Sequence, residues 1–305
     1  MFEASLVITT KNRKESLRSA LSSALGQLGV RLEILVIDDG SSDGTSEMLA
    51  NEFPTVRLKR FNASAGWVVR RNEGAQLASA PILFSVDDDA TFGDPYTISE
   101  TLKRFENPVV GAIAMPFVNV RQDSYVHCQL SNSSASEEFY TFVGTAYAIR
   151  RNLFLALGGF REVLIGYLEE SDFCIRLLDH GHFVQTVSTE PIQHFESPKR
   201  NNRRIAVLSY RNDVLFAALN VPWLALFPHL AVTTLKGLFK GFRRGHPLWA
   251  MEGLLRGYAA ALANLCQRRP VKMTTYRQFR FLKRQELQRY KRYCCNSVRQ
   301  QRRRA

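Results

Sequence analysis

Apolar positions recur in two rhythms along the first 115 residues. Residues 5–9 form a short β-branched run, and Leu17, Ala20, Leu21, Ala24, Leu25 and Leu28 then fall on one face at helical spacing. Asn12, with Glu15 three residues later, predicts a capping box where that helix starts. A second strand, 33–37, ends at Asp38-Asp39-Gly40-Ser41-Ser42-Asp43-Gly44, a turn-rich loop into a short helix over 45–50. A weaker strand over 56–61 precedes a helix over 67–78. A fourth strand, 82–86, runs directly into Asp87-Asp88-Asp89, and a fifth, 109–115, follows another helix. Such alternation implies right-handed crossovers and an α/β fold with a mostly parallel, Rossmann-like sheet flanked by helices. Ligands sit beyond the carboxyl ends of the strands in such sheets, and the polar clusters fall there.

From 117 to about 197 the pattern loosens into loops, with one clear helix starting near Glu169 and ending before Gly181. Between Asp213 and Lys236 lie 22 residues without a formal charge, interrupted by Asn220, Pro222, Pro228 and His229. Two prolines and an uneven apolar core favour an interfacial or buried helical hairpin over a membrane-crossing helix. Residues 268–304 are Lys/Arg-rich, with Tyr276, Phe279, Phe281, Leu282, Tyr290 and Tyr293 interleaved.

Charge sharpens this division. Positions 1–195 hold 17 basic and 24 acidic residues, whereas 196–305 hold 24 basic and 4 acidic. An acidic body thus carries a basic tail, which argues against a uniformly basic nucleic-acid binder. The 305 residues suit a domain over 1–200 and a basic helical C-terminal region over 201–305 that docks on an anionic membrane surface. With 45% apolar and 23% charged residues the chain can bury a large core, which excludes wholesale disorder. Five cysteines without metal spacing, and no secretory signal at the start, suggest a cytoplasmic protein, peripheral on the cytoplasmic face of the membrane. Asn62-Ala63-Ser64 and Asn132-Ser133-Ser134 are then chance matches to glycosylation acceptors.

Asp87-Asp88-Asp89 carries the strongest chemical signal. Neighbouring carboxylates repel by roughly 3 kcal/mol per pair at about 6 Å and an effective dielectric near 20, so something must compensate. Mg²⁺ or Mn²⁺ bound to substrate phosphates would do so; a solvated acidic turn is the plain alternative. In an extended segment Asp87 and Asp89 share one side and Asp88 takes the other. Asp38-Asp39 ends its strand in the same way, either to accept hydrogen bonds from a base or ribose or to make an Asx-type turn. Glu169-Glu170-Ser171-Asp172 opens a helix, where acidic residues complement the dipole or, held in a site, take a proton from an attacking hydroxyl. The lead-in through Gly158-Gly159-Phe160 and Gly166-Tyr167 would let substrate approach closely. His194 reads as a metal or phosphate contact or a structural histidine. Arg70-Arg71-Asn72 offers an arginine for a phosphate or a site carboxylate, or a surface pair.

These motifs, in order, resemble the family 2 glycosyltransferases, inverting enzymes of the GT-A fold that use nucleotide-activated sugars, with bacterial rhamnosyltransferase-like members. The matching segments are Leu6-Val7-Ile8-Thr9-Thr10-Lys11-Asn12-Arg13, Val36-Ile37-Asp38-Asp39-Gly40-Ser41-Ser42-Asp43-Gly44-Thr45, Arg71-Asn72-Glu73-Gly74, Phe84-Ser85-Val86-Asp87-Asp88-Asp89, Gly158-Gly159-Phe160 and Glu169-Glu170-Ser171-Asp172-Phe173-Cys174-Ile175-Arg176. The resemblance implies that Thr9 and Asp39 hold the nucleoside and that Arg71 supports the nucleotide site. It implies that Asp87 meets the ribose and Asp89 the metal, with Asp88 open between these roles because a triplet leaves the register free. The family's Glu-Asp-x-Asp form makes its second acidic residue the base, here Glu170, with Glu169 and Asp172 as alternatives. His194 falls where such members carry a histidine.

The function implied is sugar transfer from a nucleotide-diphosphate sugar donor to a saccharide or lipid-linked acceptor, in cell-surface polysaccharide or glycolipid synthesis. Two rivals stand beside it. A nucleotidyltransferase acting on sugar phosphates also needs an acidic metal site, but not the helix start at 169–172. A non-catalytic basic module would bind nucleic acid or membrane, yet no nucleic-acid motif accompanies the tail.

Overall fold

Each apolar run read from residues 1–86 forms a strand, and each amphipathic run a helix. A computed structural model describes residues 1–121, 126–128, 138–196 and 202–304, with side chains as far as 288 in the last segment. Asn132-Ser133-Ser134 and the side chains of Tyr290 and Tyr293 lie outside the described residues. The chain begins β1 (Ala4–Thr10), α1 (Lys14–Leu25), β2 (Leu32–Asp38), α2 (Thr45–Glu52), β3 (Arg57–Arg60), α3 (Trp67–Leu77) and β4 (Ile82–Val86). Its four strands run parallel in the order β3-β2-β1-β4. Thr10 stands opposite Asp38 and Val7 opposite Ser85, so these strands finish nearly level and their loops share one edge.

Next come β5 (Ala90–Thr91), α4 (Thr97–Lys103), β6 (Val110–Ala114), β7 (Phe117–Asn119), β8 (Val126–His127), β9 (Glu138–Phe139), β10 (Ala146–Arg150), α5 (Arg151–Ala156), α6 (Glu169–Asp179), β11 (Phe183–Thr186) and β12 (Ile192–His194). The main sheet has eight strands, β3-β2-β1-β4-β10-β6-β11-β9, with β10 antiparallel between β4 and β6. Ala146-Tyr147-Ala148-Ile149 is buried throughout, so it shows no polar alternation and reads poorly as a strand from sequence. A second sheet, β5-β12-β7-β8, pairs His194 with Ala90 and so carries β12 to the end of the acidic triplet.

Two local expectations need correction. Asn12 and Glu15 do not form a capping box. Asn12 adopts φ 53° and its side chain accepts the Ser42 N–H at 2.7 Å, while Asp43 accepts the first helical N–H, that of Lys14, at 2.9 Å. The loops after β1 and β2 are thereby tied to each other. Two of the glycines before α6, Gly159 and Gly166, make room for side chains of the protein itself. A Cβ on Gly159 would lie 2.6 Å from Asn72 Oδ1, and one on Gly166 would lie 2.6 Å from the Trp67 ring. Asn72 clamps Phe160 through both its backbone groups at 2.9 Å, seating Phe160 among Phe142, Phe154 and Phe173 in the core.

The remainder is helical: α7 (Asn202–Asn220), α8 (Trp223–Arg243), α9 (Pro247–Ala263) and α10 (Met273–Arg304). The uncharged run splits at Asn220-Val221-Pro222 into the end of α7 and the start of α8, so it forms a hairpin. No helix among the described residues is long and apolar enough to cross a membrane. Gly253 and Gly257 let α9 close on α7, since a Cβ on either would sit 2.6 to 2.8 Å from a backbone carbonyl oxygen of that helix. Asp179, ending α6, accepts the Lys272 N–H at 2.9 Å and the Thr275 hydroxyl at 2.7 Å, fastening the start of α10.

Candidate active site

Asp87, Asp88 and Asp89 follow β4 without a break, and each carboxylate meets a partner delivered by another loop. Asp87 Oδ1 accepts from Arg71 of α3 at 2.8 Å. Asp88 accepts from the Thr10 hydroxyl at 2.7 Å and from Arg13 at 2.9 Å, and the same Arg13 nitrogen reaches Asp89 at 2.6 Å. Part of the expected repulsion is therefore relieved by two arginines of the chain. Burial still pushes Asp88 up to about 6 against the pull of Arg13 and Thr10. Burial also works against ionised Asp89, yet hydrogen bonding to His194 and the charge of Arg13 hold it below the usual carboxylate range.

His194 completes a trio on the other side. Its Nε2 lies 3.2 Å from Asp89 and 3.7 Å from Asp87, and one donor atom from each of the three residues falls within 4.8 Å of the others. Its Nδ1 is 2.6 Å from Asn119 Oδ1 on the parallel neighbour β7. A ring nitrogen donating to an amide oxygen leaves the other nitrogen's lone pair for a cation, the usual arrangement of a metal-bound histidine. Two carboxylates and one imidazole fit Mn²⁺ well, and Mg²⁺ less readily because of the imidazole.

The other arginine read as half of a surface pair is buried too: Arg70 and Arg71 are 4% and 6% exposed. Arg70 binds Asp39 at 2.6 Å, and Asp39 also accepts from Ser64 at 2.5 Å, Ala65 N–H at 2.8 Å and Gly66 N–H at 3.0 Å. Burial opposes its charge, but these four donors keep it below the ordinary range. Asp38 behaves as a turn residue, accepting the Ser41 N–H at 2.8 Å. Thr9 sits beside them at the end of β1, opposite Ile37.

At the start of α6 the acidic residues divide. Glu170 accepts the Gly144 N–H at 3.0 Å, and its Oε1 and Arg71 Nη1 both lie 2.6 Å from where a Cβ on Gly144 would be. Glu169 accepts from the Trp67 indole at 3.1 Å and leaves its other oxygen buried without a partner. Burial, then the charge of Glu170, raises Glu169 to about 8; burial raises Glu170 as well, against the pull of Arg71. Asp172 faces away. It is fully buried, and Arg161 at 2.7 Å, Arg176 at 2.9 Å and the Asn220 amide at 2.7 Å occupy it. It joins α6 to the C-terminal helices.

The model of glycosyl transferase family 2 matches residues 5–163, just over half of the chain. The chain belongs to glycosyl transferase family 2. Among its relatives is an uncharacterized glycosyltransferase of Haemophilus influenzae, 27% identical over 200 residues, a match covering 62% of this chain and 67% of that one. A poly-beta-1,6-N-acetyl-D-glucosamine synthase of Staphylococcus epidermidis is 30% identical over 118 residues, covering 36% of this chain and 27% of its own length. The solved mannosyltransferase PcManGT from Pyrobaculum calidifontis, in complex with GDP-Man and Mn²⁺, superimposes with a TM-score of 0.57 at 20% identity, covering 94% of this chain and 81% of that one. The fold of this family 2 glycosyltransferase is GT-A.

Within this glycosyltransferase, Asp87, Asp89, His194, Arg71 and Glu170 come together, whereas Asp172 stands apart. Reading the sequence missed Arg13, Thr10, Asn119, Gly144 and Trp67 as partners of the acidic groups. Arg13 and Thr10 stand inside the first matching segment, so a signal existed. Asn119 and Gly144 come from short buried elements with no local signature.

Proposed function

We propose that this glycosyltransferase is a metal-dependent, inverting enzyme that moves a sugar from a nucleoside-diphosphate donor to a hydroxyl of a saccharide or lipid-linked acceptor, in cell-surface polysaccharide or glycolipid synthesis. One observation carries it: Asp87 faces the Asp89 and His194 trio through one oxygen and Arg71 through the other, and Arg71 shares the Gly144 niche with Glu170. A cation site and a protonatable carboxylate thus open from the two ends of one ion pair.

Asp87, Asp89 and His194 would hold Mn²⁺ or Mg²⁺, which when bound offsets negative charge on the departing diphosphate. Thr9 and Asp39 would line the nucleoside, with Arg70 and the 64–66 loop fixing the Asp39 carboxylate. Asp87 is also within reach of a ribose hydroxyl, and Asp88 orders Thr10 and Arg13 beneath the nucleotide. Arg71 supports Asp87 and offsets charge near Glu170. Glu170 would take the acceptor's hydroxyl proton as that oxygen bonds to the anomeric carbon and the bond to the nucleoside diphosphate breaks, which inverts the centre. Burial raises its proton affinity, which makes it a stronger base than a free carboxylate. Glu169, held protonated to about 8 by burial and by the charge of Glu170, leaves Glu170 as the member of the pair that ionises first.

Residues 201–305 form the basic helical region proposed to dock on an anionic membrane surface. Phe227, Leu235, Phe239 and Phe242 stripe α8 at 67–73% exposure, and Leu248, Leu255 and Leu262 stripe α9 at 69–73%. Apolar stripes of this extent beside Lys and Arg suit an interfacial helix.

A panel of UDP-, GDP- and dTDP-sugars with Mn²⁺ tests the reading. Release of nucleoside diphosphate from one donor, abolished by a chelator, is expected; release of pyrophosphate would establish the nucleotidyltransferase alternative.

A further inference from the structure

A cavity of about 870 Å³ lies among α7, α8 and α10, apart from the acidic site. That is the size of a ligand pocket rather than a packing void. Phe216, Val232, Met273 and Phe279 give it apolar walls. Lys236 and Lys240 of α8 and Arg277, Arg280, Lys283 and Arg284 of α10 also line it, against a single carboxylate, Asp213. Asp213 and Glu286 act on Lys283 against burial, so six cations share few carboxylates, whereas Arg13, Arg70, Arg71, Arg161 and Arg176 around the acidic site each make a direct ion pair. Their field is felt locally: His229, also in the wall, is driven down to about 4 by burial and then by Arg280, Lys283 and Lys236.

Two further features give the cavity direction. Leu168 and Ser171 line it, so its inner end lies against the start of α6, the helix whose first turn carries Glu169 and Glu170 toward Trp67 and Gly144. Toward the surface it includes Leu224, which is 88% exposed, and it runs beside the apolar stripe of α8. One occupant satisfies an apolar wall, an excess of cations, an inner end against the start of α6 and an exit along an apolar helix. We propose that this cavity binds the phosphate or diphosphate linker of a lipid-linked saccharide acceptor. The linker meets the cations, the hydrocarbon chain leaves along α8, and the saccharide hydroxyl is presented to Glu170. A neutral sugar has no use for six cations, and the donor's own diphosphate belongs beside Asp87, Asp89 and His194. This assignment rests on the transferase reading above and names its acceptor class.

The test uses farnesyl diphosphate as probe, titrated calorimetrically into the full chain, with inorganic pyrophosphate and farnesol as controls that each keep one feature. Farnesyl diphosphate is expected to bind at least tenfold more tightly than either control. The pairs Arg280→Gln with Arg284→Gln, and independently Lys236→Gln with Lys240→Gln, are each expected to weaken it at least tenfold while leaving nucleoside-diphosphate binding with Mn²⁺ unchanged. Two separate pairs guard against one failing to fold. Equal binding of pyrophosphate or of farnesol, or no effect of either pair, overturns the proposal. So does displacement of the probe by phosphatidylglycerol vesicles, which would make the cavity a site for membrane headgroups. Donor hydrolysis, measured on the same samples, separates the two readings. Hydrolysis without probe binding overturns the cavity assignment alone, and probe binding without hydrolysis supports a lipid-diphosphate site while ending the transferase reading.

Discussion

The acidic edge of the sheet and the basic helical layer treat charge in opposite ways. At the sheet edge, Asp39, Asp88 and Asp89 are buried and Asp87 half-buried, and each meets a donor supplied from another element, so the charges are largely compensated within the chain. In α8 and in α10 as far as residue 288, cations outnumber the carboxylates that face them and stand beside exposed apolar side chains. Buried charge without compensation is costly, whereas exposed cations cost little and attract anions over roughly a Debye length of 8 to 10 Å. Chemistry is proposed for one region and capture for the other. The two meet where α6 begins, with Glu170 turned to Arg71 and Asp172 turned to Asn220 of α7.

The largest expected effect breaks the chemistry while leaving capture intact. Glu170→Gln keeps the size of the side chain and its contact with the Gly144 N–H, but it cannot take a proton. Transfer should fall by about 10² to 10⁴, the usual worth of a positioned base. Donor affinity and vesicle binding should hold. Steady-state kinetics with the donor identified by the sugar panel checks this, and unchanged turnover would move the base elsewhere.

Residues 1–86 were legible because each strand and helix there is regular, and period and turn chemistry agree. The candidate residues were legible as types at strand ends, but their contacts were not. Asp87 and Asp89 turn to His194 because β12 pairs with β5, a pairing of two very short strands no periodicity announces. The capping box at Asn12 failed because the loop after β2 offered better partners, Ser42 and Asp43, than the helix's own residues did. The glycines before α6 looked like room for substrate, and only the packing shows that Asn72 and Trp67 take that room. Asp172 could not be told from Glu170 by sequence, since both sit in one helical turn. Arg161, Arg176 and Asn220 enclose Asp172, and two of the three come from outside α6.

A smaller effect breaks capture while leaving the chemistry. Leu235→Glu combined with Phe239→Glu puts two charges on the exposed stripe of α8 without touching the cavity wall or the acidic site. Flotation with anionic vesicles should drop by at least about tenfold, because each apolar side chain contributes on the order of 1.5 to 3 kcal/mol when fully buried and only part of that at an interface. Donor hydrolysis should be unchanged. Equal flotation of the variant, or of wild type on neutral and anionic vesicles alike, would remove the membrane from the picture.

The smallest effect reads the border between the regions. Glu169 and Glu170 adjoin one another in a buried niche, so they titrate as a pair rather than as two independent carboxyls. Burial and mutual repulsion hold a proton on the pair above the range where a free glutamate would have lost it. A base must be deprotonated, so kcat/KM should rise with pH along a limb displaced upward from the ordinary carboxylate value. Glu169 keeps its proton to about 8, so Glu170 ionises beside a neutral neighbour, and Glu169→Gln should leave the limb in place while removing the second ionisation of the pair. Stability follows with its own sign. Glu169 binds its proton more tightly folded than unfolded, so its favourable contribution is whole below the ordinary value of 4.5 and fades as pH rises through about 8. Wild type should therefore lose melting temperature relative to Glu169→Gln across that window. A limb that moves down in Glu169→Gln would mean that Glu169 is already ionised when the base works.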